Sequence, residues 1–79
     1  MISKEILIND IDLVKKLVNL VTQYEEDIDL VRGRYVIDAK SVMGIFSLDL
    51  SRPIIIGIHT DDVEIANKFF ADLENIGIK

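Results

Sequence analysis

The sequence predicts a two-layer α/β sandwich of the α+β kind, an open-faced four-stranded sheet with helices on one face. Three observations carry this. Apolar residues recur at helical spacing in two long stretches, one after Asp10 and one after Asp62. Short apolar runs with strand character occupy the N-terminus, the region around Gly33 and the stretch after Pro53. Their order is strand, helix, strand, strand, helix, strand, helix, or βαββαβα, and such a set is packed most economically in two layers. With 79 residues, the expectation is a single domain, 1–79, with one modest core.

Each element has its own signal. ISKEILI, residues 2–8, sets Ile2, Lys4, Ile6 and Ile8 against Ser3, Glu5 and Leu7, which predicts a strand with one face more apolar than the other. Asn9 and Asp10 then offer capping oxygens. Ile11, Val14, Leu17, Val18, Val21 and Tyr24 follow at spacings of three and four, predicting an amphipathic helix to about Glu25. In DIDLVRGRYVID two short runs flank Gly33, the pattern of a hairpin with a tight loop. A short helix is expected to begin after Ser41. RPIIIGIHT predicts a buried strand entered at Pro53, with Ile54, Ile56 and Ile58 on one side and Ile55, Gly57 and His59 on the other. Val63, Ala66, Phe69, Phe70, Leu73 and Ile76 mark the last helix. Asp61, Asp62 and Glu64 suit the positive end of its dipole, and Gly77 is its stop. Leu7 and Ile55 are expected on the less covered sheet face, which offers a surface for a homodimer.

Composition excludes several classes. The net charge of −5 and the scattered cations argue against a nucleic-acid partner held through phosphates. The acidic cluster Glu25, Glu26, Asp27 and Asp29 reads as a solvated helix end. No run of eighteen apolar residues exists, so no membrane span is expected, and the N-terminus does not read as a secretory signal; a cytoplasmic protein is the expectation. The absence of cysteine removes disulfides, thiolate catalysis and cysteine-based zinc sites.

No catalytic arrangement emerges. His59 is the single histidine and stands just before Thr60, Asp61 and Asp62. An acid beside it would raise its pKa, and a histidine among acids is also how a weak metal site begins. Because Asp61 and Asp62 open a helix, where capping is their ordinary role, His59 reads as structural. No serine lies in a nucleophile elbow, and the four glycines form no phosphate loop. The expectation is a protein that is not an enzyme, with no cofactor and no metal.

Ser41 invites a closer look. Directly before a short apolar helix, its hydroxyl is placed to cap the first turn. A helix start also tolerates a phosphate. Val42, Met43, Ile45 and Phe46 cannot all face inward from so short a helix, so Ser41 is expected beside a small apolar patch made of Val42, Met43 and Phe46.

The segment DAKSVMGIFSLDL resembles that of HPr, the histidine-containing phosphocarrier of the bacterial sugar phosphotransferase system, which typically reads like NAKSIMGVMSL here. The element order is also similar to that family's βαββαβα sandwich. The resemblance extends from about Ser3 to Ile76, specific in the central segment and a matter of pattern and spacing in the flanks. It implies that Ser41 matches a serine phosphorylated by an ATP-dependent kinase in carbon catabolite control. It also implies that residues matching Val42 and Met43 meet partner proteins, such as HPr kinase or a transcription regulator.

The departure from the family is as informative. Family members carry phosphate on a histidine in a motif like GLHARPA at the start of the first helix. This chain reads NDIDLVKKL there, with Asp10 at or beside the histidine position and Asp12 near that of the phosphate-stabilising arginine. Two acids repel a phosphoryl group, and His59 matches no part of the motif. The expectation is therefore a regulatory relative without histidine relay, similar to the catabolite-repression HPr type. The alternative is a structural or oligomerisation module that keeps only the fold.

Overall fold

The computed structural model describes all residues from Met1 to Lys79. In chain order its elements are β1 (Ile2–Ile6), α1 (Ile11–Val21), β2 (Ile28–Arg32), β3 (Tyr35–Asp38), α2 (Val42–Phe46), β4 (Ile54–Ile58) and α3 (Val63–Asn75). The strands form one antiparallel sheet in the order β1-β4-β2-β3. Both the element order and the two-layer sandwich are those the sequence predicts.

The register explains which face the helices cover. Ile6 lies opposite Ile54, Ile28 opposite Ile58, and Leu30 opposite both Ile56 and Ile37. Opposed residues share a face, so these isoleucines and Leu30 form a single apolar surface. Against it pack Val14, Leu17, Leu20 and Val21 of α1, Ile45 of α2, and Ala66, Phe69 and Leu73 of α3, all buried in one core. The other face carries Ser3, Glu5, Asp29, Val31, Val36, Asp38, Ile55 and Gly57. Alternation alone thus separates core from open face.

Several boundaries differ from expectation. The first strand ends at Ile6 rather than at residue 8. Its next partner on β4 would be Pro53, which has no N–H to give, and the N–H of Leu7 donates instead to the Lys79 carbonyl at 3.1 Å. Leu7 consequently sits at the end of the sheet, not on its open face. The first helix stops at Val21 instead of near Glu25. There Gln23 and Tyr24 close short turns onto Leu20 and Val21, and the Tyr24 side chain crosses to α3. Its ring meets Phe69 edge-on at 5.1 Å and its hydroxyl donates to Asp72 at 2.7 Å. Burial, then the Asp72 hydrogen bond and the charges of Asp72 and Glu26, push the Tyr24 phenol far above its ordinary range.

The acidic cluster is accordingly no helix end. Glu25, Glu26 and Asp27 lie in the loop after α1, and Asp29 lies inside β2. Ile11 and Val63 are also exposed, at 62% and 61%. Each is the first residue of its helix, beyond the reach of the core packing. At the other end of α3 the stop is as expected. Gly77 takes φ +95, and the N–H groups of Ile78 and Gly77 donate to Leu73 and Glu74 at 3.0 Å each. That reversal returns Ile78 to the core beside Leu73.

Candidate functional site

Ser41 is the N-cap of α2, with extended backbone (φ −99, ψ 103) and a hydroxyl that accepts from the Gly44 N–H at 3.2 Å. The approach to it is firmly tied. The Ala39 N–H donates to the Ile28 carbonyl at 2.8 Å and the Ser41 N–H to the Asp38 carbonyl at 3.0 Å. The Asp38 carboxylate accepts from the Lys40 N–H at 2.8 Å. Lys40 itself crosses to the loop after α1, where its ammonium donates to the carbonyls of Tyr24 and Glu26 at 3.0 and 3.1 Å. The residue before the candidate serine is therefore a clamp between two loops.

Gly44 sets how closely α2 rides on β3. A Cβ there would lie 2.7 Å from Ile37 Cγ2, so any side chain would force either Ile37 or the helix to move. The close seat turns Ile45 inward, fully buried, and leaves the rest of the helix outside. Met43 is 81% exposed, with Phe46 and Val42 at 44% and 39%. The structure thus brings Ser41, Val42, Met43 and Phe46 together on one exposed helix, as the sequence predicts. Ser41 itself is exposed.

Asp10 occupies the N-cap of α1. One carboxylate oxygen accepts from the N–H groups of Asp12 and Leu13, at 2.7 and 3.2 Å. The amide donors that would greet an incoming anion at this helix start already hold the chain's own carboxylate. Asp12 adds a second negative group in the same turn. Around Asp10 opens a hollow of about 520 Å³ lined by Leu7, Asn9, Ile11, Leu50 and Ser51. The loop after α2 therefore reaches the start of α1.

His59 stands elsewhere. It follows β4, at the end of the sheet opposite Ile6 and Ile54, about 17 Å of strand away from that edge. Its Nε2 lies 2.6 Å from Asp29 Oδ2, and its N–H donates to the Asp27 carbonyl at 2.9 Å. The acid beside the histidine is thus the cross-strand Asp29, not Asp61 or Asp62. Asp62 instead caps α3, accepting from the Glu64 N–H at 2.9 Å.

Two structural residues of this region were not singled out by sequence reasoning. Besides Lys40, Arg32 reaches from the hairpin to the carbonyls of Arg52 and Pro53 at 2.9 and 3.2 Å. Both act on backbone carbonyls, which every residue carries, so no pattern in the sequence marks the partner. The pairing of Lys40 with Ser41 in the segment AKSVMG was the available signal.

The sequence matches no protein-family model and no curated protein. Solved structures do match. The chain superposes on HPr-C-His from Thermoanaerobacter tengcongensis with a TM-score of 0.74 and 26% identity, covering 92% of this chain and 90% of that one. The phosphocarrier protein HPr from Bacillus anthracis gives 0.72 and 21% identity, covering 95% and 94%. A structure described as an HPr dimer, also from Thermoanaerobacter tengcongensis, gives 0.67 and 25% identity, covering 90% and 91%. The chain has the HPr fold, and its structural neighbours are HPr phosphocarrier proteins.

Proposed function

We propose that this chain is an HPr-like regulatory protein of the sugar phosphotransferase system or of carbon catabolite control, a binding protein and not a catalyst. It meets its protein partners through α2, is switched by phosphorylation of Ser41, and takes no part in histidine phosphoryl relay. The observation that carries the reading is an exposed Ser41 capping a helix whose other exposed residues, Val42, Met43 and Phe46, form an apolar patch. The HPr fold and the names of its structural neighbours support the system to which it is assigned.

The geometry suggests how a switch would work. In the unmodified protein the Ser41 hydroxyl caps Gly44. A phosphate would add about 1.5 to 2 negative charges and three acceptor oxygens beside the patch, attracting an Arg-bearing partner surface. At α1 the situation is opposite, because Asp10 and Asp12 put two acidic side chains at that helix start. No histidine stands there, and His59 is engaged with Asp29. These placements favour a regulatory protein over a phosphocarrier.

Two incubations test the proposal. With HPr kinase and ATP, intact mass should rise by one phosphate, and the Ser41→Ala variant should stay unmodified. With enzyme I and phosphoenolpyruvate, the chain should remain unlabelled. An unmodified Ser41 in the first incubation would overturn the switch, and acid-labile phosphate on His59 in the second would overturn the absence of relay.

A further inference from the structure

Three serines stand between positions 41 and 51, and their hydroxyls are used differently. Ser47 donates to the Gly44 carbonyl and Ser51 to the Asp49 carboxylate, each at 2.6 Å. The Ser41 hydroxyl accepts from the Gly44 N–H and donates to no group of the chain. Of the three, it is the one whose proton is open to a base from outside. Where that hydroxyl stands depends on α2, which buries Ile45 alone. The segment before the helix must therefore supply much of the anchorage.

Lys40 does this from the adjoining position. Its ammonium donates to the carbonyls of Tyr24 and Glu26, at 3.0 and 3.1 Å, and neither carbonyl accepts from a backbone N–H. The loop after α1 thus offers two acceptors without backbone donors, and one cation beside Ser41 fills both. A hydrogen bond from an ionised donor is stronger than a neutral one, and both of these are partly buried. We propose that Lys40 is a positioning residue for Ser41. By holding the loop after α1, it keeps the start of α2 in the conformation a kinase reads, without itself touching the kinase or ATP.

This deepens, and rests on, the reading of Ser41 as a phosphorylated residue. In that transfer Ser41 Oγ bonds to the γ-phosphorus of ATP, the bond from that phosphorus to ADP breaks, and the hydroxyl proton passes to a base of the kinase. Lys40 takes part in none of these steps, because its ammonium is engaged with the two carbonyls. With the clamp removed, Ser41 would be correctly placed only part of the time. Apparent affinity then falls by that fraction, while the chemical step is unchanged.

Steady-state phosphorylation by HPr kinase and ATP, with hydrogen exchange of the unmodified chain, tests the proposal. Lys40→Met keeps a long side chain but no donor, and should raise KM about tenfold with kcat unchanged. Lys40→Arg should recover most of the loss, since Arg32 already shows a guanidinium holding two carbonyls at once. In Lys40→Met the amides of Ser41, Gly44 and Ile45 should exchange faster, while those of α3 keep their rates. Should Lys40→Met fail to fold, Lys40→Gln, shorter and uncharged, takes its place with the same expected rise in KM. A native chain that takes phosphate no better than Lys40→Met overturns the positioning role alone. A raised KM with unchanged exchange at Ser41 and Gly44 also overturns it, since the kinase would then be touching Lys40 directly. A native chain that takes no phosphate at all overturns the reading of Ser41 and this proposal with it.

Discussion

The starts of α1 and α2 solve one problem with different chemistry. At α1 the cap is Asp10, an acidic side chain that satisfies two N–H groups. At α2 the cap is Ser41, a neutral hydroxyl that satisfies one and is open to modification. The helices differ in the same sense. The eleven residues of α1 bury Val14, Leu17, Leu20 and Val21, whereas the five of α2 bury Ile45 alone. The strongly anchored helix has a carboxylate cap at its start, and the lightly anchored one has a hydroxyl cap. The comparison teaches that the neutral, exposed cap stands on the helix with the least packing to lose.

The largest effect should come from cutting that single anchor. Ile45→Ala removes a fully buried side chain and should cost about 2–5 kcal/mol in urea unfolding. Leu17→Ala should cost a similar amount. The two variants should part company in hydrogen exchange. Three other buried residues hold α1 in place without Leu17, whereas α2 should lose protection at Ile45 and Ser47. Equal protection of α2 in the native chain and in Ile45→Ala would break the contrast drawn above.

Much of this contrast was legible in the sequence. Helical spacing, the capping positions of Asp10 and Ser41, the hairpin at Gly33, the entry at Pro53 and the stop at Gly77 are all set by residues close together in the chain. What was not legible depends on groups far apart or without identity. The end of α1 is decided by Tyr24 reaching Asp72 on α3, forty-eight positions on, against its own helical spacing. The clamp of Lys40 ends on two carbonyls, and His59 finds its acid on β2 because the sheet order places β4 beside that strand. The candidate site was readable at Ser41 and its apolar neighbours, but the rigid approach that presents them was not.

The caps themselves supply the next test. Asp10→Ala removes a charged partner of two N–H groups and should cost about 1–2 kcal/mol. Ser41→Ala frees a single N–H and should cost about 0.5–1 kcal/mol. Salt sharpens the difference. The part of the Asp10 contribution that comes from its charge at the helix dipole should shrink at high ionic strength, while the Ser41 contribution should stay constant. Equal salt dependence in the two variants would show that the charge at α1 does no more than a hydroxyl would.

The smallest effect concerns a side-chain turn in the loop that links α2 to β4. There the Asp49 carboxylate accepts from the Ser51 hydroxyl at 2.6 Å and from the Ser51 N–H at 3.0 Å. The hydroxyl bond first, then the backbone bond, with lesser help from Arg32 and Arg52, hold this carboxyl below the usual carboxylate range. A depressed folded pKa means that the turn's contribution is present above the ordinary carboxylate pKa and is lost as pH falls through the lowered value. In a carboxyl-detected NMR titration, Asp49 should therefore protonate later than an unperturbed aspartate on the way down in pH. Ser51→Ala removes the larger cause but keeps the backbone bond, so the midpoint should rise part of the way toward normal. A midpoint unmoved by Ser51→Ala would mean that the backbone N–H and the arginines suffice. Asp49 would then resemble Asp10, a carboxylate held by amides, and not Ser41, whose hydroxyl is the whole of the cap.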